Sequence, residues 1–163
     1  MDAVESHDSL LVRKIENGTV IDHVTTWRAE LILKVLRLDK LMKEGSNISV
    51  ATLQNVASAK QGRKDVIKVD NWYLDENVAN ILCLIEPNAT INYIKDWKVR
   101  KYTPQVPDSI EGRLKCPELR CITNTEREPA NTKFLTMKNG RLLQCHYCDT
   151  LLEFDRIPEF VKA

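Results

Sequence analysis

The apolar positions of this chain fall into short blocks whose spacing switches between the two-residue period of strands and the longer period of helices. Leu10–Ile15 and Thr19–Val24 are runs rich in Leu, Ile and Val, parted by Glu16-Asn17-Gly18, and predict two strands joined by a turn. Trp27, Leu31, Val35 and Leu38 then recur at helical spacing, with Glu30 four residues ahead of Lys34. A helix from Trp27 to about Leu38 is expected, with Thr25 or Thr26 as its cap. Lys40–Asn47 is polar, carries Gly45 and reads as a loop. Ile48–Leu53 and Val66–Val69 read as strands, joined by a polar stretch that ends in Gly62-Arg63-Lys64-Asp65. Asp75 caps a second helix, in which Val78, Ile81, Leu82 and Ile85 hold one face until Pro87-Asn88 stops it. Thr90–Ile94 gives another strand, and a turn at Lys95-Asp96 leads into Lys98–Tyr102.

Strand, helix, strand, strand, helix, strand is the order of a ferredoxin-like arrangement, an antiparallel sheet with two helices on one face. Thr103-Pro104-Gln105-Val106-Pro107-Asp108, with its two prolines, interrupts the pattern as a semi-rigid linker. The expected organisation is α+β, with one domain at 1–103 and a smaller all-β domain at 104–163. In the second, Phe134–Lys138 and Arg141–Cys145 flank Asn139-Gly140, a pair suited to a type I′ hairpin turn. The returning strand delivers Cys145 towards Cys121.

That hairpin gives the cysteines their meaning. Cys116 and Cys121 bracket Pro-Glu-Leu-Arg, and Cys145 and Cys148 bracket His-Tyr. Two short loops with two thiolates each suit a tetrahedral structural Zn²⁺ held by Cys116, Cys121, Cys145 and Cys148. All four positions of the tetrahedron are then filled by protein, so no site remains for water or substrate. Two disulfides, or four free thiols, are the other readings of the same residues. His146, between two ligands, could compete as a ligand but is expected at the surface or as a hydrogen-bond donor to a ligand, and Cys83 on an apolar helical face is expected in the core.

Composition narrows the partners. With 24 basic and 23 acidic residues the formal charge is +1. Four thiolates and one Zn²⁺ bring it to about −1, which leaves no basic excess for non-specific nucleic-acid binding. The first residues, Met1 to Asp8, are acidic and polar without the apolar centre of a signal peptide. No apolar run reaches the roughly 18 residues of a membrane span. A cytoplasmic setting, where thiols stay reduced, and no membrane contact are therefore expected.

Three stretches resemble the regulatory chain of aspartate carbamoyltransferase: Asn17-Gly18-Thr19-Val20-Ile21-Asp22-His23, Gly62-Arg63-Lys64-Asp65-Val66-Ile67-Lys68 and Ala89-Thr90-Ile91-Asn92-Tyr93-Ile94. The four cysteines follow in the order that the resemblance requires, and the similarity runs from about Leu10 to about Phe154. It implies a non-catalytic chain of pyrimidine biosynthesis, with an N-terminal allosteric domain that binds ATP or CTP. It also implies a C-terminal zinc domain contacting the catalytic chain, and self-association as a regulatory dimer. By the same resemblance Lys68 and Asp22 contact the ribose and base region, and His23 lies near the phosphates. Backbone groups near Val12, Ile15, Asn92, Ile94 and Val99 would line the nucleotide, with Trp97 in place of an aromatic residue beside the base. On residue chemistry alone, Lys64, Lys68 and His23 lie beside strand runs that the topology could bring together around a triphosphate, and Arg13 is a candidate cation there. Two positions depart from the family pattern. Arg13 stands where an acid is familiar, and Tyr102 where a phosphate-contacting lysine is familiar. Lys101 alternates to the face opposite Tyr102, and Arg100 shares that of Tyr102 but lies further back.

Rival readings rest on fewer residues. Lys64 and Lys68 are also what an edge strand uses against aggregation. A zinc-ribbon module that binds nucleic acid would use Arg120, Lys133, Lys138 and Arg141 near the cysteines. The same cations, however, balance the local charge of −2 on a tetrathiolate zinc. An enzyme would need a cysteine nucleophile beside a base, and neither Cys83 nor the thiols near His146 offers one.

Overall fold

The computed structural model describes residues 13–127, 130–137, 139 and 141–162. They form two compact units. One comprises the described residues up to Ala79 with Asn88–Pro104, the other Asn80–Pro87 with the described residues from Gln105 onward.

In the first unit, β1 (Gly18–Val24), β2 (Ser49–Ser58), β3 (Gly62–Asp70), β4 (Thr90–Lys95) and β5 (Lys98–Tyr102) form one sheet in the order β2-β3-β1-β4-β5. All four pairings are antiparallel. Its helices are α1 (Ala29–Val35) and α2 (Leu38–Lys43), and α3 (Glu76–Ile85) starts in this unit and passes into the second at Asn80. β1 is the central strand, and Gly18 opens it opposite both Asp70 and Ile94. Its φ is +146°, and a Cβ there would stand 2.1 Å from the Val69 carbonyl oxygen, so only glycine fits.

Alternation separates the two faces of this sheet. Thr19, Ile21, Ile67, Val69, Ile91 and Tyr93 are buried on one. Two polar devices bring helices to that face. The buried Asp65 carboxylate accepts the Ala29 N–H at 3.0 Å, at the start of α1, and the Asn55 N–H at 2.9 Å, in a bulge of β2. The Thr19 hydroxyl donates to the Trp72 carbonyl at 2.8 Å and accepts the Leu74 N–H at 3.1 Å, fixing the segment that leads into α3. The Tyr93 hydroxyl adds a hydrogen bond to the Leu74 carbonyl at 2.6 Å. As expected, Asp75 caps α3, accepting the N–H groups of Asn77 at 2.7 Å and Val78 at 3.4 Å.

Local patterning misplaced several boundaries. The expected strand Leu10–Ile15 lies partly outside the described residues, and Arg13, Lys14 and Ile15 form no strand; Gly18 belongs to β1 rather than to a turn. The expected helix Trp27–Leu38 is broken. Arg37 takes a left-handed φ of 59° between α1 and α2, and α2 occupies part of the expected loop. The buried side of α1 is Ala29, Ile32 and Val35, whereas Trp27 is 69% exposed. Both stripes have helical spacing, and the Asp65 cap selects the one that starts at Ala29. β2 extends past Leu53 because the bulge at Leu53–Val56, where Asn55 has φ 57°, absorbs two polar residues without ending the pairing. The turn after β4 uses Asp96 and Trp97, with φ 49° and 68°, one residue later than expected.

In the second unit, β6 (Ser109–Glu111), β7 (Lys133–Met137), β8 (Leu142–Cys145) and β9 (Leu151–Glu153) form an antiparallel sheet in chain order. Ile110, Phe134, Leu143 and Leu152 fill its inner side, and the 3₁₀ segment Phe154–Phe160 closes over it with Phe154 and Ile157 buried. The observed class is α+β with an all-β C-terminal part, as the patterning implied. The β7–β8 hairpin forms as expected, though Lys138 and Gly140 of its turn lie outside the described residues. Cys83 is buried, and burial pushes its thiol up to about 11. No helix among the described residues is long and apolar enough to cross a membrane.

Candidate metal centre and effector face

The second unit brings four sulfurs to one point. After Leu114 the chain turns so that the Cys121 N–H bonds the Glu118 carbonyl at 3.0 Å. The Asn124 side chain holds this loop closed, donating to the carbonyls of Cys116 at 3.1 Å and Glu118 at 2.7 Å. The second loop leaves β8 at Cys145 and returns through Asp149, whose N–H bonds the Cys145 carbonyl at 2.9 Å with φ at 63°. The sulfurs of Cys116, Cys121, Cys145 and Cys148 all lie within 4.8 Å of one another. Cys116 and Cys148 are 3.6 Å apart, Cys121 and Cys145 3.8 Å, too far for disulfides. A regular tetrahedron with Zn–S bonds of about 2.3 Å places its sulfurs about 3.8 Å apart, so the donor set fits a structural zinc.

The surroundings tune these thiols. Burial raises the Cys116 and Cys145 thiols above their ordinary value. Burial also works against the Cys148 thiolate, but hydrogen bonding with the side chain and backbone of Thr150, and with Cys116 and Cys145, outweighs it and brings that thiol down to about 7. The Thr123 hydroxyl donates to Cys121 Sγ at 3.2 Å. His146 is exposed, its ring edge-on to Tyr147, as expected for a residue between ligands.

In the first unit, the sheet face opposite the helices carries most of the residues singled out in the sequence. The register places Lys68, Val20, Asn92 and Lys101 in one row across β3, β1, β4 and β5. A neighbouring row holds Gly18, Ile94 and Val99, and Asp22 lies one step along β1 on the same side, opposite Thr90. Lys64 Nζ reaches Asp22 Oδ1 at 2.9 Å. His23 sits in the β1 bulge with φ 58°; its N–H bonds Asp22 Oδ1, and its Nδ1 lies 3.0 Å from Thr90 Oγ1. Lys68 Nζ donates to the Arg13 carbonyl at 3.4 Å. Burial lowers the Lys68 ammonium from its ordinary value, while Asp22 pulls it up and Lys14 pushes it down. Ile15 packs against Val20, Val66 and Ile94, and Val99 stays exposed on the edge strand. Trp97 is exposed at the hairpin turn, its N–H bonded to the Glu16 carbonyl at 3.0 Å. Val12 lies outside the described residues.

Tyr102 and Lys101 lie on opposite faces of the sheet, as alternation along β5 implied. Tyr102 pairs with Ile91 on the helix-bearing side, its ring 6.2 Å from that of Tyr93, and so does not face this row. Lys101 does. The signal was present in the sequence, because Val99 and Lys101 share a parity that Tyr102 lacks. Arg100, also on the helix side, pairs with Glu76 at 3.1 Å. Thr90 and Asp65 went unnoticed because their partners, His23 and Ala29, are distant in sequence.

Fold and thiolate cluster together define a class: an α+β sheet unit followed by a small β unit built around a metal-competent Cys₄ set. Residues 10–104 match the family described as aspartate carbamoyltransferase regulatory chain, allosteric domain, and residues 108–158 match the metal binding domain of the same chain. The chain is 42% identical to the aspartate carbamoyltransferase regulatory chain of Archaeoglobus fulgidus, covering 88% of this chain and 94% of that one. It is 42% identical to the regulatory chain of Hyperthermus butylicus, with 96% of each covered, and 37% identical to that of Methanopyrus kandleri, with 94% and 97% covered. The chain belongs to the aspartate carbamoyltransferase regulatory chain family, and its role is regulatory rather than catalytic.

Proposed function

We propose that the open sheet face of the first unit binds the nucleotides ATP and CTP and that the metal-stapled second unit docks onto the catalytic chain of aspartate carbamoyltransferase in the cytoplasm. The observation that carries the nucleotide reading is the row of Lys68, Val20, Asn92 and Lys101 with Lys64, Asp22 and His23 beside it. Lys64 is already paired with Asp22, whereas Lys68 and Lys101 have no ion-pair partner among the described residues. Two uncommitted cations on one face suit the charge of a triphosphate. Val99 and Trp97 offer exposed apolar surface for the base, and Arg13 lies where Lys68 is tethered.

Zinc, held by Cys116, Cys121, Cys145 and Cys148, supplies fold rather than chemistry: four thiolates saturate it. Regulation follows from a nucleotide binding one state of the assembly more tightly than another, which shifts the balance between them. Self-association as a dimer is supported by the edges of the sheet. β2 is an edge strand of ten residues without a charged side chain, a template for pairing, while the other edge, β5, carries Lys98, Arg100 and Lys101.

Calorimetric titration of the full chain with CTP, ATP and single-stranded DNA tests the nucleotide reading. Lys68→Ala is expected to weaken both nucleotides by about 10- to 150-fold, the equivalent of one charge-assisted contact. Unchanged affinity in that variant, or tighter binding of DNA than of either nucleotide, would refute it. Gel filtration with the catalytic chain, before and after chelation of zinc, tests the docking role; co-elution that survives loss of the metal counts against it.

A further inference from the structure

A cleft of the first unit lies at the β4–β5 hairpin, reaching from the helix-bearing side round the edge strand to Val99. It has a volume of about 540 Å³ and is walled by Tyr73, Leu74 and Glu76 on one side and by Tyr93, Lys98 and Arg100 of the β4–β5 hairpin on the other. That volume falls within the range of small-molecule sites.

Its walls are fixed. The Tyr73 hydroxyl donates to the Ile94 carbonyl at 2.9 Å, and the Tyr93 hydroxyl is committed to the Leu74 carbonyl, so both rings present carbon to the cavity. The Arg100 guanidinium is stacked 4.7 Å from the centre of the Tyr93 ring and makes one hydrogen bond, to Glu76 Oε1 at 3.1 Å. Its remaining N–H groups have no acceptor among the described residues. Lys95 and Lys98 at the rim also have no acidic partner among the described residues, while Glu76 and Asp96 are the two acids of the lining. Three cations against two acids leave an excess of one positive charge beside two tyrosine rings.

We propose that this cavity is a binding site for a small aromatic carboxylate. The ring lies against Tyr73 and the apolar wall at Leu74, and the carboxylate takes the free edge of Arg100 with Lys98 beside it. A planar guanidinium already held over Tyr93 loses little freedom in forming a two-point contact with a carboxylate. An inorganic anion would leave the apolar wall unused, and a neutral ring would leave the excess charge unpaired.

Benzoate serves as the probe, with benzamide as its neutral isostere and cyclohexanecarboxylate as its non-aromatic counterpart. Binding to the full zinc-loaded chain is measured by calorimetry and located by backbone amide shifts. Benzoate is expected to bind at least ~10-fold more tightly than benzamide, and Arg100→Gln to lose about that factor. Glu76→Gln removes the acid that competes for Arg100 and should tighten benzoate by about two- to fivefold, the reverse of what a purely structural ion pair predicts. Amide shifts should centre on Tyr73, Tyr93 and Arg100. Equal affinity for benzoate and benzamide, weakening by Glu76→Gln, or shifts centred on Lys68 and Lys101 would each overturn the proposal. Failure of the nucleotide titration leaves these outcomes untouched, because no residue on which they depend lies in the lysine row.

Discussion

Replacing Asp65 tests how the first unit is held together. This carboxylate is fully buried, and its two oxygens accept two backbone N–H groups, Ala29 at 3.0 Å and Asn55 at 2.9 Å. Asp65→Ala removes both acceptors at once. A hydrogen bond to a charged group contributes about 1.5–3 kcal/mol, so the gross loss is about 3–6 kcal/mol. Removing the buried charge recovers part of its desolvation, and the net loss is expected near 2–4 kcal/mol. That is a large share of the roughly 5–15 kcal/mol that stabilises a domain. Asp65→Asn keeps one carbonyl oxygen and should lose about half as much. Urea unfolding of the zinc-loaded chain, followed by helix circular dichroism, is the assay. At a slope of about 1–2 kcal/mol per molar, the Ala variant should shift the first transition down by about 1–4 M. A shift below about 0.5 M, or an Asn variant as damaged as the Ala variant, would refute the idea that both N–H groups depend on this carboxylate.

Three further outcomes are expected. Zinc affinity should fall by at least ~100-fold from pH 7 to pH 6, because burial keeps the Cys116 and Cys145 thiols protonated and each must release its proton to the solvent on binding. The sign follows from protons competing with the metal, and a competition titration against a chromogenic chelator at both pH values measures the slope; a slope below two protons contradicts it. Lys101→Ala should weaken CTP by about 10-fold or more while Tyr102→Phe leaves it within about twofold, measured by calorimetry, since only Lys101 faces the row with Asn92. Gly18→Ala should lower the melting temperature by more than ~10 °C, because a Cβ would press on the Val69 carbonyl; scanning calorimetry reads it directly.

What the sequence made legible was local. The α3 stripe of Val78, Ile81, Leu82 and Ile85 with its Asp75 cap, the β7–β8 hairpin and the paired cysteines each carry their signal within a few residues. What stayed hidden depends on distant partners. Nothing near Trp27 says that the helix starts at Ala29, because the acceptor that selects it is Asp65 on another strand. The polar Gln54-Asn55 looks like a strand end until the partner strand shows a bulge. The proposed nucleotide face was partly legible: Lys64, Lys68 and His23 lie beside strand runs, and the sheet brings those runs side by side. Family analogy pointed to Tyr102, while parity along β5 pointed to Lys101.

The two unlike edges of the five-stranded sheet bear on how large an assembly can become. β2 is uncharged and able to accept another strand, whereas β5 repels one with three cations in five residues. A head-to-tail stack would need β2 of one copy to lie against the cationic β5 of the next, which disfavours its propagation. Two β2 strands meeting about a two-fold axis consume both receptive edges and leave a charged strand at each outer margin. If the chain pairs as proposed, growth of the sheet ends at two copies, and any wider assembly is built through other surfaces.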